Sequence, residues 1–277
     1  MARRIRLDAE LVRRGLARSR QQAGDLISAG RVSVSGTVAS KPATQIDPAQ
    51  PVQVREDPAG APEYASRGGH KLAGALDALG DDAPVVVGRR ALDAGASTGG
   101  FTDVLLRRGA AHVVAVDVGY GQLVWSLQTD PRVTVMDRTN VRTLDPAAID
   151  PPVDLVVGDL SFISLTLVLP ALAGVITPDA DLFLMVKPQF EVGKDRLGSG
   201  GVVRDPGLHI EAVLDVVAAA AQLGLGLRTA VASPLPGPSG NVEYFVHLHR
   251  GQGVADAEAV VRAAVDAGPL VQAGSGS

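Results

Sequence analysis

The chain has 277 residues, 46% hydrophobic but only 3% aromatic, with 26 basic against 30 acidic side chains and a formal net charge of −4. That length suits one large domain plus a small one, with a core built mostly from Ala, Val and Leu. The absence of cysteine excludes a disulfide scaffold, a thiolate zinc site and cysteine catalysis, and five scattered histidines offer no metal-ligand spacing, so no metal is expected.

The first residues, M-A-R-R-I-R, are charged and run straight into an amphipathic segment. They lack the apolar core of a secretion signal, and no run of about 18 uncharged apolar residues offers a membrane span. A soluble, cytoplasmic protein is expected. Residues 1–46 carry nine basic groups against three acidic ones, a net +6 that leaves −10 for the remainder. A basic head on an acidic body suggests an arm that finds a polyanion.

In the head, Leu7, Leu11 and Val12 mark one helix face that Gly15 closes. Ser19 stands as N-cap of a second helix carrying Ala23, Leu26 and Ile27, with Gly30 beyond its end. Residues 31–38 read as two short strands around a Ser-Gly turn, and 52–54 as a further strand. The wording R-L-D…L-V-R-R-G-L-A-R-S-R-Q-Q-A…L-I-S-A-G-R-V-S-V-S-G resembles the S4-like RNA-binding domain over about residues 4–55. That resemblance implies docking on structured RNA through backbone and shape. Arg4, Arg6, Arg18, Arg20, Arg31 and Lys41, with Arg67 at the start of the body, are the candidate RNA contacts; Arg18, Arg20 and Arg31 are expected near one another. The expected domains are 1–55, a Pro/Ala/Gly-rich linker at 56–66, the body at 67–267 and a flexible tail at 268–277.

The body alternates strands and helices. A short helix near 70–79 is followed by a strand ending at Asp93, a helix over 100–108, strand 112–117, a helix near 121–128 and strand 132–136 ending in Asp137. Then come strand 153–157 ending Gly158-Asp159, helix 164–174, strand 182–186 ending Lys187-Pro188, helix 206–223, strands 225–232 and 242–249, and helix 256–266. The alternation predicts a doubly wound α/β sheet whose last two strands form an antiparallel hairpin at the edge.

The organising stretch is Asp93-Ala94-Gly95-Ala96-Ser97-Thr98-Gly99-Gly100-Phe101: a strand tip, a turn of small residues and a helix entry. Small residues admit a ligand to the backbone, and Asp117 at the tip of the next strand is placed for ribose hydroxyls. With an Asp-x-Gly turn, the element list is that of a class I S-adenosylmethionine-dependent methyltransferase: Rossmann-like, seven-stranded, with a small α+β S4-like domain in front. NAD-binding Rossmann proteins are the nearest alternative, but Ser97 stands where G-x-G-x-x-G needs its second glycine and would crowd a pyrophosphate.

Three polar residues close strands at the ligand end: Asp117, Asp159 and Lys187. Lysine is scarce here, with Lys41, Lys71, Lys187 and Lys194 the only four against 22 arginines. Unlike arginine, a lysine amine can lose its proton, and a neutral one can take a proton from a hydroxyl. The plainer alternative is that Lys187 merely pairs with Asp159.

Lys71, Asp159, Lys187 and Glu243 match the catalytic tetrad of ribose 2′-O-methyltransferases of the FtsJ/RrmJ type. The fuller resemblance, from about residue 4 to 250, is to the TlyA family, through S-R-G-G-H-K-L, L-D-A-G-A-S-T-G-G-F-T-D, D-L-S-F-I-S-L, V-K-P-Q-F-E and G-P-S-G-N-V-E-Y-F. TlyA proteins carry two descriptions, haemolysin and methyltransferase on cytidine 2′-hydroxyls of ribosomal RNA. The resemblance implies Lys187 as general base, Lys71 and Glu243 as its tuners, with Lys71 a cationic neighbour favouring the neutral amine, and Asp159 steering Lys187 near the methyl donor. It implies S-adenosylmethionine as cofactor, held by Gly95, Ala96, Ser97, Thr98, Gly99, Gly100 and Phe101, with Asp93 bracing the turn, Asp117 at the ribose and Asp137 toward the adenine. The partners implied are ribosomal RNA and ribosomal subunits, with no membrane, for a chain expected to act as a monomer.

The glycine-rich loop over 192–201 is expected to close over the target nucleotide. Two other functions are weighed. A membrane-acting haemolysin needs an apolar span or a basic amphipathic helix with large apolar anchors, which the sequence does not offer. An RNA-binding assembly factor with a degenerate body is disfavoured by the intact tetrad.

Overall fold

The computed structural model describes residues 4–17, 19–55, 64–237 and 240–268. Arg18, most of the expected linker (56–63) and the tail from 269 onward therefore lie outside the described residues. The chain divides into two compact units, Met1–Glu63 and Tyr64–Ser277.

The first unit contains β1 (Ile5–Arg6), α1 (Leu7–Arg13), α2 (Arg20–Ser28), β2 (Val32–Val34), β3 (Thr37–Val38), β4 (Gln45–Ile46) and β5 (Val52–Val54). Ser19 caps α2 by accepting from the Gln22 amide, as its position before the apolar run predicts. The strands form a three-stranded antiparallel sheet, β3-β2-β5, and a two-residue pair, β1 with β4. Leu7, Leu11, Ala23, Ile27, Val32 and Ile46 are buried together. The β1–β4 pair is too short to leave a periodic trace in the sequence.

The second unit runs α3 (Arg67–Leu79), β6 (Arg90–Ala94), α4 (Gly100–Arg107), β7 (His112–Val116), α5 (Trp125–Gln128), β8 (Val133–Met136), β9 (Val153–Gly158), α6 (Leu169–Gly174), β10 (Ile176–Val186), α7 (Pro188–Glu191), α8 (Pro206–Gln222), β11 (Leu225–Ala232), β12 (Tyr244–Arg250) and α9 (Ala257–Asp266). One seven-stranded sheet has the order β11-β12-β10-β9-β6-β7-β8. Strands β8, β7, β6, β9 and β10 are parallel, and β12 runs antiparallel to both of its neighbours.

Side-chain alternation along these strands divides the core in two. Leu92, Val114, Val156, Leu184 and Val246 face one layer with α6, α8 and α9, whereas Ala91, Val113, Leu155, Phe183 and Phe245 face the other with α3 and α4. Phe183 and Phe245 stack with ring centres 4.7 Å apart, anchoring the second layer. Among the described residues, no helix is long and apolar enough to cross a membrane.

Three elements depart from the sequence reading. The expected helix at 164–174 breaks into a 3₁₀ turn (Leu165–Leu167) and α6, because Pro170 has no N–H with which to continue the preceding turn. The helix near 121–128 shrinks to α5, since the residues before it form a loop gathered by Asp117 and Asp137. Strand β10 starts six residues before the apolar run, with its pairing irregular between Ile176 and Asp181; the Thr-Pro-Asp stretch there shows no strand pattern.

Chain order reverses between β6 and β9: β7 and β8 lie to one side of β6, β9 and β10 to the other. The carboxyl ends of β6 and β9 thus border a topological switch point, where open α/β sheets place ligands.

Candidate active site

The turn leaving β6 sits at that switch point. Gly95 has φ +86°, and a Cβ there would lie 3.1 Å from the Asp159 carbonyl oxygen. At Gly99 (φ +99°) a Cβ would meet Leu127 at 2.3 Å, and at Gly100 it would meet Ser66 Oγ at 2.2 Å and the Gly69 amide nitrogen at 2.8 Å. These glycines are therefore required first by the protein itself. Gly100 lets the start of α4 touch the start of α3, the helix that carries Lys71. The exposed part of the turn is Ser97, at φ +49°, and Thr98, while Ala96 is buried.

Two residues of the expected cofactor set are buried beneath the turn. Phe101 is buried and stacks toward Phe245, with ring centres 6.0 Å apart, so it belongs to the core. Asp93 is fully buried and accepts a 2.7 Å hydrogen bond from Thr102 Oγ1, bracing α4 against β6 behind the turn as the sequence predicts. Burial, helped by the charges of Asp159 and Asp117, pushes the Asp93 carboxyl up to about 7.

A carboxyl raised in the fold holds its proton while the unfolded chain has already ionised. Stability should therefore fall as pH rises from about 4 to about 7, by at most roughly 4 kcal/mol, and stay level above that. Thermal unfolding across this window should show that slope, and Asp93→Asn should flatten it; an identical slope in the variant would remove Asp93 as its source.

Asp117, half-buried, accepts from the Ser97 amide (2.8 Å) and the Gly119 amide (2.7 Å), tying the tips of β6 and β7 together. Asp137 accepts from the Gly121 amide at 2.8 Å. Both carboxylates thus order the 117–121 loop, and Asp117 also ties it to the turn.

The four tetrad residues gather at the same end of the sheet. Val186 pairs with Tyr244 in the β10–β12 ladder, which puts Lys187 and Glu243 on neighbouring strand ends, and β9 delivers Asp159 next to β10. Lys71 reaches from α3 to form an ion pair with Glu243, their side chains 7% and 1% exposed. Lys187 Nζ lies 2.5 Å from Asp159 Oδ1 and donates to Ser161 Oγ at 2.9 Å. The charge of Lys71 is therefore met by Glu243.

Residues without a role in the sequence reading complete the site. Phe162 has φ +64°, rare for an aromatic residue, and its side chain is 90% exposed beside Phe190, ring centres 5.2 Å apart. Phe190 in turn lies 6.0 Å from Lys187 Nζ. Glu191 bridges back, accepting from Ser164 Oγ (2.5 Å) and the Leu165 amide (2.9 Å); burial raises its carboxyl above the usual range. A compositional signal was available: the chain has only five phenylalanines, and two of them closely follow strand tips.

The glycine-rich loop is anchored at its far end. Asn241 accepts from the Val203 amide and donates to the Gly201 carbonyl, while Arg196 pairs with Glu211 at 2.5 Å.

In the first unit, Arg6 and Arg20 both pair with buried Asp8, at 2.8 and 3.0 Å, and the Arg6 hydrogen bonds hold the Asp8 carboxyl down to about 2. Arg13 and Arg14 share Glu10. Four guanidiniums thus meet two carboxylates, and a positive surplus remains. Arg20 is turned to Asp8, whereas Arg31 Nε donates to the Arg55 carbonyl. Arg4 and Lys41 are exposed. In the second unit, exposed Arg67 donates to the Pro236 carbonyl at 3.2 Å.

Comparison with known proteins agrees with this architecture. Residues 64–250 match the model of the FtsJ-like methyltransferases, and residues 5–52 match the S4 domain. The chain is 59% identical over 273 residues to the 16S/23S rRNA (cytidine-2′-O)-methyltransferase TlyA of Mycobacterium tuberculosis (strain H37Rv), covering 97% of this chain and 100% of that one. It is 33% identical to Hemolysin A of Brachyspira hyodysenteriae, covering 88% and 99%. A solved structure from Streptococcus thermophilus that carries a hemolysin name superposes with a TM-score of 0.74 at 35% identity, covering 96% and 95%. With an S4 domain ahead of an FtsJ-like methyltransferase body, the chain belongs to the TlyA family.

Proposed function

We propose that this protein transfers a methyl group from S-adenosylmethionine to the ribose 2′-hydroxyl of cytidine in 16S and/or 23S ribosomal RNA, acting as a cytoplasmic monomer on ribosomal subunits. The observation that carries this reading is the pair of ion pairs, Lys187–Asp159 and Lys71–Glu243, on adjacent strand ends next to the switch point of the sheet.

The residues present suit such a cofactor. Asp117 is bonded to the turn, Asp159 lies against Gly95, and Asp137 closes the next strand at the same end, a set of acceptors that suits ribose hydroxyls and an amino group and favours a cation. The same set would repel a pyrophosphate. Ser97 and Thr98 with Asp117 would hold the nucleoside, Asp137 would lie toward the base, and Asp159 would lie near the sulfonium. Bound there, the cofactor supplies an electrophilic methyl group.

The chain's own residues do the remainder. Lys187, held by Asp159 and Ser161, accepts the 2′-hydroxyl proton as the oxygen becomes a nucleophile. Lys71 and Glu243, locked to each other at the neighbouring strand end, orient the ribose and shape the field around Lys187. The exposed ring of Phe162, resting on Phe190, offers a face to a nucleobase. Placing the hydroxyl in line with the methyl group provides much of the acceleration, because positioning alone lowers barriers by several kcal/mol.

The test is a map of ribose 2′-O-methylation on ribosomal RNA from cells with and without the protein, with purified enzyme and subunits restoring any missing site. No cytidine gained or lost would overturn the reading.

The basic head supplies anchoring. Changing Arg4, Arg31 and Lys41 together to Glu should weaken RNA binding and lower the slope of log affinity against log salt by roughly 0.7–0.9 for each phosphate no longer neutralised. Arg6 and Arg20 should contribute less, because Asp8 already engages them. A slope unchanged in the triple variant would take the head out of the RNA interface.

A further inference from the structure

Ser161 stands outside the tetrad, yet its Oγ accepts a 2.9 Å hydrogen bond from Lys187 Nζ. Asp159 Oδ1 lies 2.5 Å from Nζ as an ion pair but outside hydrogen-bonding alignment, so the aligned acceptor for an N–H of the amine is Ser161 Oγ. A neutral amine has two N–H bonds and one lone pair. With Asp159 alone, the amine could rotate about Cε–Nζ and present either a hydrogen or its lone pair to an incoming hydroxyl. With one N–H fixed on Ser161, only two directions remain for the lone pair, and repulsion from the Asp159 carboxylate disfavours the one that faces it.

The surroundings hold Ser161 in place. It sits in the turn after β9, immediately before Phe162, whose positive φ swings its ring outward while the serine faces Lys187. Strained backbone of this kind persists only where neighbours over-determine it. Here the neighbours are identifiable. Glu191, four residues beyond Lys187, grips Ser164 Oγ and the Leu165 amide, three and four residues beyond Ser161. Phe162 rests on Phe190 from the same two segments. The loop carrying Ser161 and the segment carrying Lys187 are thus stapled together at three points, and the serine–lysine contact is the one nearest the reacting atoms. Ser161 is also exposed, so this polar contact is not explained by the need to satisfy a buried hydroxyl.

We propose that Ser161 is a positioning residue that aims the lone pair of Lys187 at the target hydroxyl. It does so by accepting one N–H of the amine while the neighbouring Asp159 carboxylate repels the lone pair from its own side. Its own hydroxyl hydrogen is then left to point away from the lysine. This inference rests on the reading of Lys187 as general base.

The test measures single-turnover methyl transfer to ribosomal RNA by the full-length protein and its Ser161→Ala, Ser161→Thr and Lys187→Ala variants, with RNA and S-adenosylmethionine affinities and the melting temperature of each. Ser161→Ala should lower the maximal rate roughly ten- to hundred-fold, the range expected when a reacting group is misaimed, with KM for RNA, both affinities and melting unchanged. Ser161→Thr, which keeps the acceptor oxygen, should restore the rate to within a few-fold of wild type.

A wild-type rate in Ser161→Ala overturns the proposal. So does a raised KM with an unchanged maximal rate, which would make Ser161 an RNA contact, and so does a threonine variant as slow as the alanine one. The two readings separate in the same experiment. If Lys187→Ala is also fast, the general-base reading has failed; if only Ser161→Ala is fast, the positioning role alone is lost.

Discussion

Lys187→Arg should be as inactive as Lys187→Ala, each losing roughly 10²–10⁴-fold in single-turnover methyl transfer, while RNA binding and melting temperature hold. The arginine variant is the sharper of the two. It preserves the positive charge and a partner for Asp159, which now sits 2.5 Å from the lysine, so a residue needed only for that ion pair would tolerate the exchange. A guanidinium does not give up its proton in a protein, so a residue needed as a base would not. Tritium transfer from labelled cofactor to ribosomal RNA, with filter binding on the same preparations, separates the outcomes. An arginine variant that keeps more than a tenth of the rate would reduce Lys187 to a structural partner of Asp159. The plainer reading of the sequence, that these two residues merely pair, would then be the right one.

Much of this site could be read from the chain because its residues close strands. Asp93, Asp117, Asp159 and Lys187 each end a largely apolar strand, and an apolar run ended by a charge places that charge at a known end of a parallel sheet. What could not be read is whatever depends on distant partners. Lys71 and Glu243 are 172 residues apart, and only the Val186–Tyr244 register and the approach of α3 to α4 bring them together. The glycines of the turn suggest ligand clearance locally. Their nearest neighbours prove to include Ser66, Gly69, Leu123 and Leu127, none of which local spacing could have nominated. Ser161 stayed silent for the same reason: a serine in a turn is ordinary until the lysine 26 residues later is found facing it. In the head, charge counting found the positive surplus but not its internal use, since the pairing of Arg6 and Arg20 with Asp8 follows from how β1 and α2 meet α1.

Glu243→Ala should be among the most destabilising single changes in the second unit, costing about 3–5 kcal/mol, because it leaves Lys71 charged, buried and alone. For a unit of this size that is a fall in melting temperature of the order of 10 °C. The double variant Lys71→Met, Glu243→Met should recover most of the loss. Two flexible apolar side chains fill similar volume without desolvating any charge, and such exchanges of buried ion pairs are often neutral or stabilising. Methyl transfer should nevertheless stay abolished in the double variant. That combination, stability restored and activity absent, separates the two possible reasons for a buried ion pair. If the pair served stability, an apolar replacement would be as good or better, so its presence beside Lys187 points to what the charges do for the reaction. A double variant as unstable as Glu243→Ala would mean that the pair holds α3 to the β12 entry in a way apolar contact cannot replace. A stable and active one would remove Lys71 and Glu243 from the reaction and leave Lys187, Asp159 and Ser161 as the working set.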